Sequence, residues 1–183
     1  IYRTDGPPAR IETSLRLEAG ATLDWLPQET ILFDRASLIR ALDVDMAADA
    51  RLVACESVVF GRLAMGETCT SGDFRDRWRV RRAGKLIFAE DTRLEAPAAL
   101  LARPAIGAGA RALATLLHVV PDAPARLDGC RAALEKIDCE SGVSALDGFL
   151  VARLVSSSPE NLRLAILALF SHLLGRAAPR VWQ

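Results

Sequence analysis

Between Asp76 and Leu94, polar and apolar residues alternate on both sides of an Ala83-Gly84 pair, and this alternation constrains the fold more than any other feature. Successive strand side chains point to opposite faces, so Trp78, Val80 and Arg82 share one face of the first arm. In the second arm Leu86, Phe88 and Glu90 alternate with Lys85, Ile87 and Ala89. Two such arms around a short Gly-containing turn predict a β-hairpin. Earlier runs read the same way. Leu15, Leu17, Leu23 and Trp25 alternate with Arg16, Glu18 and Asp24 around Ala19-Gly20, which predicts another hairpin. Leu38, Leu42, Val44 and Met46 share one parity over residues 36–46, although Leu38, Ile39 and Leu42 also suit a helical face. Residues 52–60, 112–120 and 149–155 read as further strands.

The last third carries two helical patterns. Over residues 124–137, Leu127, Cys130, Leu134 and Ile137 recur at three- and four-residue steps. Over residues 159–174 the boundaries are clearer. Ser158 can cap the free N–H groups, Pro159 suits the first helical position and Glu160 suits the positive end of the dipole; Gly175 and Pro179 stop the helix. Its apolar residues spread around most of the circumference, so it must be covered on most sides, within the domain or by a partner. Residues 97–110, rich in Ala, Pro and Gly, read as a long connection. The expected class is mainly β, with about two α-helices in the C-terminal third.

The chain has 183 residues, 23 basic and 23 acidic, with a formal net charge of zero. That balance argues against a binder of nucleic acid or anionic membrane that works through bulk charge. One domain spanning residues 1–183 is the expectation. The charge-free stretch over residues 164–175 is far shorter than the ~18–20 apolar residues of a membrane span. The first residues do not read as a signal peptide. There is no initiator Met, so the chain is expected to begin inside a longer product or after processing. Cys55, Cys69, Cys130 and Cys139 form no C-x-x-C pair and are read as reduced, cytoplasmic, mostly buried thiols.

Sequence signatures of catalysis are missing: no G-x-S-x-G, H-E-x-x-H, P-loop or G-x-G-x-x-G. His118 and His172 lie in apolar runs and read as satisfied packing residues. The acidic residues are more informative. Glu29 and Asp34 flank Ile31-Leu32-Phe33, Glu56 sits in the apolar run 52–60, and Glu67 follows Met65-Gly66. A carboxylate among apolar strands must be paired, hydrated or bound to a cation. Two readings stand: a buried ion pair, for instance with Arg62, or an interior hydrophilic path or transient metal site. Arg75, Arg77, Arg79, Arg81 and Arg82 lie on one hairpin and read as a solvated face balanced by Asp73, Glu90 and Asp91. Alternatives of other classes are a β-rich RNA-binding module using that arginine hairpin and an unrecognised small hydrolase.

Several motifs, in order along nearly the whole chain, resemble the urease accessory protein D family (UreD/UreH). Trp25-Leu26-Pro27-Gln28-Glu29-Thr30-Ile31-Leu32-Phe33-Asp34 is similar to its signature. Phe60-Gly61-Arg62-Leu63-Ala64-Met65-Gly66-Glu67 resembles its G-R-x-A-M-G-E block, and Asp76, Trp78 and Arg79 its D-x-W-R hairpin. Gly84-Lys85-Leu86 with Arg93-Leu94, Asp147-Gly148 with Arg153-Leu154, and Gly175-Arg176 with Pro179-Arg180-Val181-Trp182 fit later segments. Two departures stand out: members of the family are longer at the N-terminus, and Arg35 stands where they often have Gly.

The resemblance implies a stacked, helical β-sheet domain with a pair of helices and no enzymatic activity of its own. It implies a maturation chaperone that acts with accessory proteins F and G on apo-urease and helps load nickel. Protein G, reached through F, is the GTPase. No tightly bound cofactor is implied; nickel is transient cargo. Ni²⁺ accepts carboxylate, imidazole and water ligands, and a conduit should hold it weakly. Glu29, Asp34, Glu56 and Glu67 are the candidate path-lining groups, with Arg62 and Arg79 as structural ion-pair partners. Leu162, Ile166, Leu169, Phe170 and Leu173 are the candidate interface for accessory protein F. A cytoplasmic location, with neither nucleic acid nor membrane as partner, is expected.

Overall fold

The computed structural model describes residues 1–183. Strands dominate, as the alternation predicts. They are β1 (Ala9–Leu17), β2 (Thr22–Trp25), β3 (Thr30–Leu32), β4 (Ser37–Met46), β5 (Arg51–Phe60), β6 (Asp73–Arg82), β7 (Lys85–Glu95), β8 (Ala112–Val119), β9 (Glu140–Leu146) and β10 (Phe149–Ser156). The helices are a short α1 (Pro97–Leu101), α2 (Leu127–Leu134) and α3 (Pro159–Leu173). One sheet has the order β1-β4-β6-β7; the other runs β2-β5-β8-β10-β9, with β3 also paired to β5.

The chain divides into two compact units. The first comprises Ile1–Thr22, Ile31–Ala50 and Phe60–Ala108; the second comprises Leu23–Thr30, Arg51–Val59 and Gly109–Gln183.

In the first unit, β1 and β6 both run parallel to β4, and β6 and β7 form the expected antiparallel hairpin. The turn needs two residues at positive φ: Ala83 at 49° and Gly84 at 78°. That is the backbone a tight right-twisted hairpin demands. The expected hairpin over residues 15–25 does not form. Alternation fixes which face a side chain occupies but not which strand lies alongside. Leu15 and Leu17 fall beside Val44 and Met46 and extend their apolar face, while β2 joins the other sheet.

The apolar face of the first sheet buries Leu38, Leu42, Val44, Phe74, Trp78, Val80 and Phe88, and Trp78 meets Phe88 edge-on at 6.2 Å. One ion pair sits within it. Arg40 and Asp76 are direct cross-strand partners, so the parallel register aligns their side chains. Nε donates to Oδ1 at 3.1 Å and Nη2 to Oδ2 at 2.7 Å; Trp78 Nε1 donates to Oδ2 at 3.3 Å. The guanidinium lies 5.5 Å from the Phe74 ring centre. The helical alternative for residues 36–42 fails because only a strand puts Arg40 opposite Asp76 and the apolar parity on one face.

In the second unit α3 lies on the sheet. Val53, Cys55 and Val59 of β5, Ala112, Ala114 and Leu116 of β8, and Leu150, Ala152 and Leu154 of β10 share its core. Ser158 caps α3, its Oγ accepting from the Asn161 N–H at 3.1 Å. The expected helix over residues 124–137 is shorter: a 3-10 turn at Ala123–Arg126 leads into α2. Strand β9 was absent from the sequence reading because Glu140, Ser141, Gly142 and Ser144 leave little apolar alternation on an exposed edge.

Removing one partner of the buried pair strands the other charge in an apolar layer. Asp76→Ala should therefore destabilise the fold by about 3–5 kcal/mol in urea titration. Phe88→Leu, which keeps the layer apolar, should cost less.

Candidate functional site

Asp34 and Glu67 lie in the first unit. The loop carrying Glu67 is over-determined. A Cβ on Gly61, whose φ is +95°, would lie 2.4 Å from the Glu67 carbonyl oxygen, so only glycine lets the loop close. Arg62 then grips Glu67 at both oxygens, Nε to Oε2 at 2.8 Å and Nη2 to Oε1 at 3.1 Å. Its guanidinium also stacks 4.4 Å from the Phe33 ring centre, and Tyr2 meets the same ring edge-on. Arg62 holds the Glu67 carboxyl below its ordinary range, chiefly through this hydrogen bonding.

Asp34 is held differently. Its Oδ1 accepts from the Thr70 N–H at 2.7 Å, the Thr70 hydroxyl at 2.9 Å and the Ser71 N–H at 2.9 Å. These bonds, led by the Ser71 N–H, lower its pKa. Neutral donors keep the carboxylate ionised without cancelling its charge. The following residue, Arg35, adopts φ +64°, a left-handed conformation that glycine takes without the steric cost a side chain bears. Asp34, Glu67, Arg62, Phe33, Tyr2 and Arg3 line a cavity of about 240 Å³. Cys69 is buried beneath, its thiol donating to the Ser71 carbonyl. Burial, with the nearby charges of Asp34 and Glu67, pushes its pKa up to about 11.

Glu29 and Glu56 lie in the second unit. Glu29 accepts Arg163 Nη1 at both oxygens, each at 3.1 Å. Glu56 is buried and accepts from Trp25 Nε1 at 3.1 Å. The register sets it beside Thr115, and Thr115 beside Arg153. The partner suggested for Glu56, Arg62, is instead taken by Glu67. Arg163 was missed by sequence reasoning, and nothing local marks it; the link to Glu29 is purely tertiary. Arg79, expected as an ion-pair partner, instead donates from Nη1 to the carbonyls of Trp78 and Glu90, which stitches the β6–β7 backbone.

The proposed interface on α3 is corrected by its burial. Leu162, Ile166, Leu169, Phe170 and Leu173 are each at most 5% exposed and pack into the core of their own unit. Small residues on the sheet, Ala112, Ala114 and Ala152, let the helix approach and cover that face. The large apolar side chain that α3 does expose is Leu164.

The arginine face of β6 is an ionic lattice. Asp91 is gripped by Arg75 and Arg93, and Arg77 grips Asp43. Arg75, then Arg93, hold the Asp91 carboxyl far below the usual range. No group of three or more His, Cys, Asp or Glu is arranged to hold a metal ion. No helix is long and apolar enough to cross a membrane. The chemistry-bearing feature of the first unit is thus a pair of carboxylates, Asp34 and Glu67, beside a cavity.

The family model for the UreD urease accessory protein matches residues 1–183. A urease accessory protein UreD from Azorhizobium caulinodans is 48% identical over 183 residues, covering all of this chain and 68% of its own length. That of Xanthobacter autotrophicus is 50% identical over the whole chain and 63% of its own length. That of Beijerinckia indica is 53% identical over 171 residues, 92% of this chain and 63% of its own length. The chain belongs to the UreD urease accessory protein family. It spans roughly two thirds of the length of these relatives, between 63% and 68%.

His118 is buried in β8 as a packing residue, but neither ring nitrogen has a hydrogen-bond partner, so it is not satisfied as expected. Burial, aided by Arg126, pulls its pKa down to about 4 from an ordinary 6.5. Between those values the unfolded chain binds a proton that the folded chain does not, so stability falls as pH drops through this window. The full loss is about 3 kcal/mol. Thermal melts of His118→Leu from pH 7 to pH 4 should show a flatter pH dependence than the parent chain.

Proposed function

We propose that this chain is the scaffold of a urease maturation factor: it binds apo-urease together with accessory proteins F and G, the latter through F, and helps pass nickel to the metallocentre in the cytoplasm, with no turnover of its own. The observation that carries this reading is the family match along the whole chain, to relatives named urease accessory proteins. Chemistry at the carboxylates supports it. Nickel is cargo here, and cargo must leave as easily as it enters. Spaced oxygen ligands suit that better than a Cys/His cage. The buried thiols Cys69 and Cys130, each raised to about 11, stay protonated and do not compete for the ion.

Among the candidate path residues, Asp34 carries the strongest case. Glu29 and Glu67 each face a guanidinium, whereas Asp34 is bonded by hydroxyl and backbone N–H donors and keeps its charge for a passing cation. Asn at this position keeps an acceptor oxygen for Thr70 and Ser71 and removes only the charge.

The test is co-expression of this chain with apo-urease and accessory proteins F and G, followed by affinity capture and metal analysis of the urease. Capture of apo-urease and a rise in its nickel content are expected; absence of both would contradict the assignment. Within that assay Asp34→Asn should lower nickel per urease by about tenfold, the effect of losing one ionic ligand contact, with the melting temperature unchanged. Glu29→Gln should act mainly by lowering stability.

A further inference from the structure

The segment after α3 turns back onto the second unit and ends in a 3-10 turn, Arg180–Trp182. Its one fully buried side chain is Trp182, while Ala178 packs only partly buried against the core. Trp182 is 2% exposed, while Arg180, Val181 and Gln183 are exposed, as are Gly175, Arg176 and Ala177. The polar and aromatic contacts that hold the 3-10 turn itself read either that indole or the peptide group before it. The indole N–H donates to the Leu26 carbonyl at 2.9 Å. Phe170 meets the ring edge-on at 5.2 Å, and the Arg163 guanidinium lies 4.8 Å from its centre. Arg163 Nη2 and Gln28 Nε2 both donate to the Val181 carbonyl. Glu29 fixes Arg163 from the other side.

We infer that residues 26–29 and α3 form a recognition site for a tryptophan-bearing peptide, occupied here by the chain's own residues 181–183. The receptor side carries the elements such sites use: an aromatic anchor slot, a planar cation above the ring, and a paired clamp on one backbone carbonyl. The ligand side has what a releasable strap needs, namely one deeply buried anchor and an approach that is exposed over residues 175–177 and only half-buried at Ala178 and Pro179. Upstream of the turn, the exposed residues 175–177 are tied back by the surface ion pair of Arg176 with Asp24. Segments held by few buried contacts open separately from the sheet and helix beneath them. Release would uncover Phe170 and the slot between Leu162 and Ile166. The site gives the W-L-P-Q-E run and the P-R-x-W run a shared purpose: one supplies the cradle, the other the occupant. This inference stands apart from the urease reading, since neither the site nor its test involves a partner protein.

The test uses the full chain as wild type and as Trp182→Ala, with a labelled synthetic peptide of residues 177–183 as probe and fluorescence anisotropy as readout. The variant, its slot vacated, should bind the peptide saturably and at least about tenfold more tightly than wild type, whose site is filled. A peptide with Ala in place of Trp should lose that binding, and adding Arg163→Ala should weaken it. Equal binding by wild type and variant would overturn the inference. So would loss of the sheet and helix signature of Trp182→Ala in circular dichroism, because Trp182 would then be an inseparable part of the core.

Discussion

A carboxylate placed among apolar β-strands must be matched by donors that the fold itself fixes, and the arrangement of this protein follows from how each one is matched. Asp76 meets Arg40 directly across two parallel strands, so the ion pair and the register specify each other. A slip of one residue would bury Asp43 or Arg77 in place of the pair, which makes the alternative register costly. Glu29 needs Arg163 from α3, and Glu56 receives the indole N–H of Trp25. The acidic residues thus act as addresses: each is tolerable only where one particular partner arrives.

The same rule separates carboxylates whose charge is cancelled from those whose charge remains. Where the partner is a guanidinium, the negative charge is consumed locally, as at Glu67, Glu29 and Asp91. Where the partners are neutral donors, the carboxylate stays ionised and its field remains. Asp34 belongs to the second kind and borders a cavity that also exposes the Arg62–Glu67 pair. In the proposed function, a weak cation stop needs charge without a cage, and Asp34 supplies that charge. The loop around it is built to hold still: Gly61 permits a contact no other residue allows, and Arg35 occupies a left-handed conformation to turn the chain.

Much of the β-structure was legible because period-two alternation is a local property. The β6–β7 hairpin, β4, β5, β8 and β10 announce themselves within about ten residues each. Pairing was not legible, since the parallel neighbours of β4 are distant in sequence and nothing near Leu15 and Leu17 says that they face Val44 and Met46. Strand β9 was invisible for the opposite reason: as a polar edge it has no apolar face to show. Helix α3 was readable from its cap and stop, but its apolar circumference suggested an open face. The cover comes from small residues on β8 and β10 and from Trp182, which no helical pattern can reveal. The site residues were named from the sequence; their partners Arg163, Thr70 and Ser71 came only with the tertiary structure.

The central proposal is that Asp34 meets a divalent ion as an uncancelled charge while Glu29 and Glu67 are already paired with arginines. Paramagnetic broadening by Ni²⁺ tests it directly, followed residue by residue in NMR spectra of the isotope-labelled chain. The account predicts that signals of Asp34, Thr70 and Ser71 broaden first at substoichiometric nickel, and that this selectivity disappears in Asp34→Asn. Broadening that begins elsewhere, or that is unchanged by the substitution, would contradict it.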